Sequence, residues 1–181
     1  MKIGDRVVYP MHGAGEVTGI EEQEVGGVTQ SYYVLRLPMG SLKLMLPVDK
    51  VDEIGLRDVI DKSKLDEVTA ILSGKSEKSQ GSWNKRFHAT LERLKSGDIM
   101  EVAAVARNLT RQHWKHKIAS GERRLMELSR QILISELVYI LEKDAEEVTD
   151  WVDKIILADE NNSDEDENIS DVSSEVEDEE I

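Results

Sequence analysis

From Lys2 to about Val51 the chain alternates apolar and polar positions in short β-branched runs: Arg6-Val7-Val8-Tyr9, Glu16 to Ile20, Ser31 to Leu37 and Leu42 to Leu46. A period of two sends alternate side chains to opposite faces of a strand, so these runs read as half-buried strands. Turn residues separate them. Pro10 to Gly15 parts the first two, Gly26-Gly27 supplies a tight hairpin turn whose central residues need positive φ, and Met39-Gly40-Ser41 supplies another. About five short strands in roughly 50 residues hide their edges by curling into a small SH3-like or Tudor-like barrel, a scaffold suited to binding.

After Pro47 the period lengthens to that of a helix and stays there, which sets a boundary between about Val51 and Arg57. Five helices are expected. Lys64 to Leu72 forms a short one stopped at Gly74, and the polar linker Lys75 to Gly81 leads to Trp83 to Lys95, with Ser82 as N-cap and Gly97 as stop. Asp98 caps a helix running to about Lys117, whose apolar face is Val102, Val105, Ala106 and Leu109. Ser120 opens another to about Glu142, apolar nearly all round in its second half and therefore the expected buried central helix. In the last, about Asp144 to Leu157, Val148, Trp151, Val152, Ile155 and Ile156 recur at helical spacing, which makes Trp151 a core residue. From Asp159 onward too few apolar groups remain to offset the entropy of ordering, and a disordered acidic tail is expected. The fold class is α+β by domains: a Tudor/SH3-like β-barrel over residues 1–54, an all-α unit of about five helices over 55–158 and the tail over 159–181.

Charge points to the partners. The 181 residues carry a formal net charge of −14, yet residues 81–130 hold 11 Lys/Arg against 5 Asp/Glu, whereas 159–181 hold 12 Asp/Glu and no Lys or Arg. A local basic patch concentrates phosphate whatever the total charge, so the patch is the better guide. The absence of cysteine excludes disulfides, zinc ribbons and thiol catalysis. No apolar run approaches the ~18 residues of a membrane-spanning helix, and the opening MKIGDRVVYP lacks the signal-peptide pattern, so a cytoplasmic location is expected.

Trp83 is the leading candidate for function. It shares a helical stripe with Phe87, Leu91 and Leu94, which suits a core or helix-entry anchor. Equally, at the first helical position after a polar linker it can project as an apolar wedge, with Lys85, Arg86 and His88 holding phosphates around it. Arg107, Arg111 and Lys115 recur every four residues opposite the apolar face; they read as a solvated face or, with Lys117, Arg123 and Arg124 close by in sequence, as a phosphate-binding stripe. Trp114, on the flank of that face, reads as a partly buried packing residue. Catalytic signals are poor. Gly13, Gly15 and Gly19 miss the dinucleotide fingerprint and lie between strands, and His113 and His116 lack a third ligand at zinc spacing. No Ser/His/Asp or paired-carboxylate set stands out, so no enzyme, metal site or cofactor is expected.

The opening IGDRVVYPMHGAGEV, then KLMLPV, the turn into helix at GLRDVI, SWNKRFHATLERLKSGD and GERRLMELSRQILISEL together resemble the bacterial CarD/CdnL family of RNA-polymerase-binding transcription regulators. The resemblance runs from Lys2 to about Leu157. The barrel part alone is equally similar to transcription-repair coupling factor, a much larger helicase whose motor motifs this chain lacks. The resemblance implies that the N-terminal domain adds its sheet to the polymerase β subunit. It implies further that the helical domain contacts promoter DNA at the upstream edge of the transcription bubble, where a Trp wedges into the minor groove and opposes reannealing. Trp83 matches that Trp; Lys85, Arg86 and His88 match positions that are commonly basic, His88 being a departure because it is only partly charged near neutral pH. Arg123 and Arg124 fall in the same DNA-contacting set. Val34, Met45 and Pro47 match the polymerase-facing surface; in some relatives Arg replaces Met45, so this interface leans on apolar contact.

The reading is a non-enzymatic, monomeric regulator of initiation bound to RNA polymerase and promoter DNA, with no membrane partner. A protein-interaction adaptor without DNA contact is the rival: it requires a buried Trp83, whereas the regulator requires an accessible indole beside Arg86. A free-standing DNA-architectural protein would instead show appreciable duplex affinity with a steep salt slope. The acidic tail is either a solubilising end or a competitor of DNA for the basic patch from Lys85 to Arg124.

Overall fold

The computed structural model describes residues 1–78 and 81–170, with side chains of the last helix described to residue 158. Four strands come first: β1 (Arg6–Tyr9), β2 (Gly13–Val25), β3 (Val28–Arg36) and β4 (Lys43–Pro47). A single helical turn, α1 (Val51–Ile54), and a two-residue strand, β5 (Arg57–Asp58), follow. The helices are α2 (Leu65–Ser73), α3 (Trp83–Lys95), α4 (Ile99–Lys115), α5 (Ser120–Leu141) and α6 (Ala145–Ser170).

The strands form one antiparallel sheet in the order β4-β3-β2-β1-β5. Gly26 and Gly27 both have positive φ, 63° and 80°, and close the β2–β3 hairpin between the paired Val25 and Val28. An irregularity between Val17 and Gly19 shifts the register along β2. Val7, Val17, Leu35 and Leu46 form the sheet's own core, closed by Tyr9, Tyr33, Leu44, Ile54 and Leu56. The fifth strand comes from beyond the expected boundary: GLRDVI, read as the turn into a helix, pairs Arg57 and Asp58 with Val8 and Val7 of β1. Two residues are too few to show a period, and their conformation is set by the partner strand.

Helices α4 and α5 occupy the middle of the second unit. Val102, Ala103, Val105 and Ala106 of α4 meet Leu133 and Leu137 of α5, with Val68 and Leu72 of α2, Leu94 of α3, and Val148, Val152 and Ile156 of α6 around them. The expected bounds of α3 and the Asp98 cap hold, Asp98 accepting from the Met100 N–H at 2.9 Å. Ser82 occupies the N-cap position of α3 but makes no side-chain cap bond. Trp151 packs half-buried at the margin of the core, not within it. The disordered tail is expected over 159–181; α6 instead carries the backbone as helix through residues 159–170, and residues 171–181 lie outside the described residues. Among the described residues no helix is long and apolar enough to cross a membrane.

The two units meet along α5. The Ala14 N–H donates to Ser135 Oγ at 2.8 Å, and Gln131 Nε2 donates to the His12 carbonyl at 3.2 Å. Arg57 forms a two-pronged bridge to Glu136, at 2.6 and 2.8 Å, and donates through Nε to the Gly97 carbonyl at 2.7 Å. Glu136 is fully buried and also accepts from the Ile60 N–H at 2.9 Å. The Arg6 guanidinium lies 5.0 Å from the Tyr139 ring centroid. These contacts fix the sheet on the helices through polar groups placed on both sides of the joint.

Candidate nucleic-acid interface

The polar linker ends at Ser82 and α3 begins at Trp83, so the indole stands at the open end of the Phe87-Leu91-Leu94 stripe. Leu94 at the other end is fully buried, whereas Trp83 is 42% exposed. Its inner face stacks on Phe87, with centroids 5.2 Å apart and planes inclined by 24°. Its edge lies against the first turn of α5: a Cβ added at Gly121 would sit 3.1 Å from the ring. Both sequence readings thus describe part of Trp83. The ring is a helix-entry anchor on one side and an accessible indole on the other.

Lys85 and His88 are exposed on α3, and Arg123 and Arg124 are exposed on the first turn of α5, next to the Gly121 that touches Trp83. Arg86 is half-buried; Nη1 donates to the Gly81 carbonyl at 2.9 Å and Nη2 lies 3.7 Å from Glu122. The predicted DNA-contacting residues therefore lie on the N-terminal turns of two helices that meet where Trp83 packs on Gly121.

A groove of about 530 Å3 runs beside them between α3, α4, the start of α5 and the segment after α2. Its floor includes Phe87, Val105, Leu109 and Leu125; six Lys/Arg and two Glu line it. Glu77 bridges to Arg93 at 2.6 Å and lies 3.4 Å from Arg107. The Arg93 hydrogen bond chiefly holds the Glu77 carboxyl below the ordinary carboxylate range. Arg93 also pairs with Glu101.

The stripe of Arg107, Arg111 and Lys115 is neither a solvated face nor a phosphate rail along its length. Arg107 and Arg111 are 5% and 4% exposed. Arg111 donates to the carbonyls of Ile156 at 2.6 Å and Gly74 at 2.7 Å, and Arg107 to that of Ile71 at 2.8 Å. They add donors to the carbonyls at the end of α2 and tie α6 to it. Burial is the main force pulling the Arg107 pKa down. Replacing Arg111 by Met removes its guanidinium from the Leu72, Gly74 and Ile156 carbonyls, and a loss of about 2–3 kcal/mol in urea unfolding is expected; an unchanged midpoint would contradict the role.

Trp114 is also displaced from its reading: it is 64% exposed, not partly buried, and its neighbours Lys115, His116 and Lys117 are exposed too. The signal was legible in those polar neighbours. His113 keeps a buried Nδ1 without a hydrogen-bond partner, and among the described residues no cluster of three or more His, Asp or Glu could hold a metal ion.

On the sheet, Val34 pairs with Met45 and Tyr32 with Pro47, so Tyr32, Val34, Met45 and Pro47 share the face opposite Leu35 and Leu46. Met45 and Pro47 are half-buried on the outer strand β4. Val34 lies one strand in and is 4% exposed, so its side chain offers almost no surface.

The family model described as the CarD-like/TRCF RID domain matches residues 1–60, and that described as the CarD C-terminal domain matches residues 67–153. "Putative transcription factor YdeB" of Bacillus subtilis (strain 168) is 33% identical over 139 residues, 77% of this chain and 91% of that protein. The transcription-repair-coupling factor of the same organism is 39% identical over 54 residues, 30% of this chain and 4% of that protein. Among solved structures, the N-terminal domain of Myxococcus xanthus CarD is 36% identical, covering 32% of this chain and 77% of that one with a TM-score of 0.28. CdnLNt from the same organism is 50% identical, covering 33% and 84% with a TM-score of 0.30. With both halves matched in order, the chain belongs to the CarD family and is a CarD-like transcription factor.

Proposed function

We propose that this protein binds the RNA polymerase β subunit through β4 and its neighbouring face, and stabilises the promoter open complex through the Trp83 face. The observation that carries this reading is the placement of Trp83: 42% exposed and braced by Phe87 and Gly121, on a first helical turn that also carries Lys85 and Arg86 and that meets the first turn of α5, which carries the exposed Arg123 and Arg124. The adaptor alternative expects a buried Trp83, and the 42% exposure of the ring counts against it. The family match at residues 1–60, shared with transcription-repair-coupling factor, supports polymerase as the partner of the sheet.

The mechanism requires no chemistry. The cations fix the protein on phosphates, and the braced indole fills the minor groove where the duplex opens. Holding Trp83 in place before DNA arrives reduces the ordering cost of contact. Two weak contacts joined in one chain act at high effective concentration on one polymerase–promoter complex. If they form preferentially in the open state, about 1.4 kcal/mol shifts its ratio to the closed state about tenfold.

The test is open-complex lifetime on a ribosomal-RNA-type promoter with polymerase from the same bacterium. Wild type is expected to lengthen it and Trp83→Ala to lose about tenfold of that gain while still binding polymerase. A variant that prolongs the complex as wild type does would remove the wedge from the mechanism.

A further inference from the structure

The fold and the proposed reading leave the acidic end of the chain unused. Residues 171–181 hold six Asp/Glu and no Lys or Arg, and they lie beyond the family match, which stops at residue 153. The α3–α4 groove has the opposite character. Six Lys/Arg line it against two glutamates, and both glutamates are engaged, Glu77 with Arg93 and Arg107 and Glu122 with Arg86. Arg93 and Arg111 are likewise occupied, by carboxylates and by backbone carbonyls. Lys78 and Lys85 also line it, and among the described residues no carboxylate is within ion-pair distance of either. In a chain of net charge −14, such a positive groove draws the chain's own carboxylates.

Reach permits it. Arg111, a wall of the groove, donates to the Ile156 carbonyl, so α6 passes beside the groove before its acidic extension begins. Fourteen residues of helix from Ile156 to Ser170 advance about 21 Å. Eleven extended residues span up to about 36 Å. Even with α6 pointing directly away, returning about 21 Å takes roughly six residues, which leaves the terminal cluster Glu177, Asp178, Glu179 and Glu180 within reach of the groove.

We propose that residues 171–181 dock in the α3–α4 groove and compete there with DNA. In the free protein the basic face is masked. On the polymerase–promoter complex, DNA held at high local concentration displaces the segment. The docking stands on charge and reach alone; the competition rests on the DNA contact proposed above.

Because the chain has no cysteine, Ser174→Cys gives a single attachment point for a nitroxide on the full-length protein. At about 20 mM salt the label is expected to broaden the amide signals of Lys85, Arg86, Thr90 and Gln112, and about 0.5 M salt should relieve this by screening. Neutralising the segment (Asp171→Asn, Glu175→Gln, Glu177→Gln, Asp178→Asn, Glu179→Gln, Glu180→Gln) should abolish the broadening. The same full-length variant should bind a forked promoter duplex about fivefold tighter at low salt. Broadening elsewhere, or none, overturns the docking. Groove broadening together with unchanged affinity for DNA that does bind overturns the competition. If wild type and variant both fail to bind DNA while the groove is broadened, the docking holds and the DNA contact is what falls.

Discussion

Arg57→Met is expected to lower stability by about 3 kcal/mol, at the lower end of the range for breaking a buried ion pair because Arg57 is 29% exposed on its side chain. The cost lies with the partner. Glu136 is sealed from water, and without Arg57 its carboxylate keeps only the Ile60 N–H, since both of its charged donors come from the one guanidinium. Urea midpoints of Arg57→Met, Glu136→Met and the double variant check this. The double variant should recover most of the loss, because replacing both partners by apolar groups removes the desolvated charge along with its mate. A single variant as stable as wild type would show that the bridge contributes nothing. The bridge also crosses from β5 to α5, so its loss loosens the sheet from the helices. On the proposed function, a loosened joint should leave polymerase binding intact and shorten the open-complex lifetime, since the indole would no longer be held at a fixed offset from the proposed polymerase face.

Local sequence made the punctuation of this fold legible. Gly26-Gly27 gave the hairpin, Asp98 the start of α4, and Gly97 the stop after α3, because each meets a conformational demand that few residues satisfy. Trp83 was legible as a candidate for the same reason: it sits where a polar linker turns into a helical stripe. What escaped was set at a distance. The period of Arg107 and Arg111 reveals a common face of α4, yet the carbonyls awaiting them belong to α2, Gly74 and α6. Val34 carries the right alternation for an outward face, yet it is buried where β3 lies between β2 and β4. β5 had no pattern of its own, and the joint it brings to Glu136 was therefore invisible.

Gly13→Ala is expected to cost roughly 3–5 kcal/mol, combining backbone strain with overpacking. Gly13 has φ +108°, a region L side chains rarely adopt, and its missing Cβ is where the sheet touches α5. An added Cβ would lie 3.3 Å from the Ser135 Cβ and 3.4 Å from the Ile132 Cα, and would collide with Ser135 Oγ. That hydroxyl cannot simply turn away: it accepts from the buried Ala14 N–H and donates to the Ile132 carbonyl at 2.7 Å. Gly26→Ala supplies the control, since Gly26 also has positive φ but nothing lies within 4 Å of its Cβ position. It should lose only about 1 kcal/mol, from the backbone alone. The difference between the two urea midpoints measures the close approach of sheet and helix together with the greater backbone strain of φ +108° at Gly13 than of φ +63° at Gly26. If they were equal, the joint would be loose at Gly13, and the sheet would have to be held on α5 by its other contacts, the Arg57–Glu136 bridge, Gln131 on His12 and Arg6 on Tyr139.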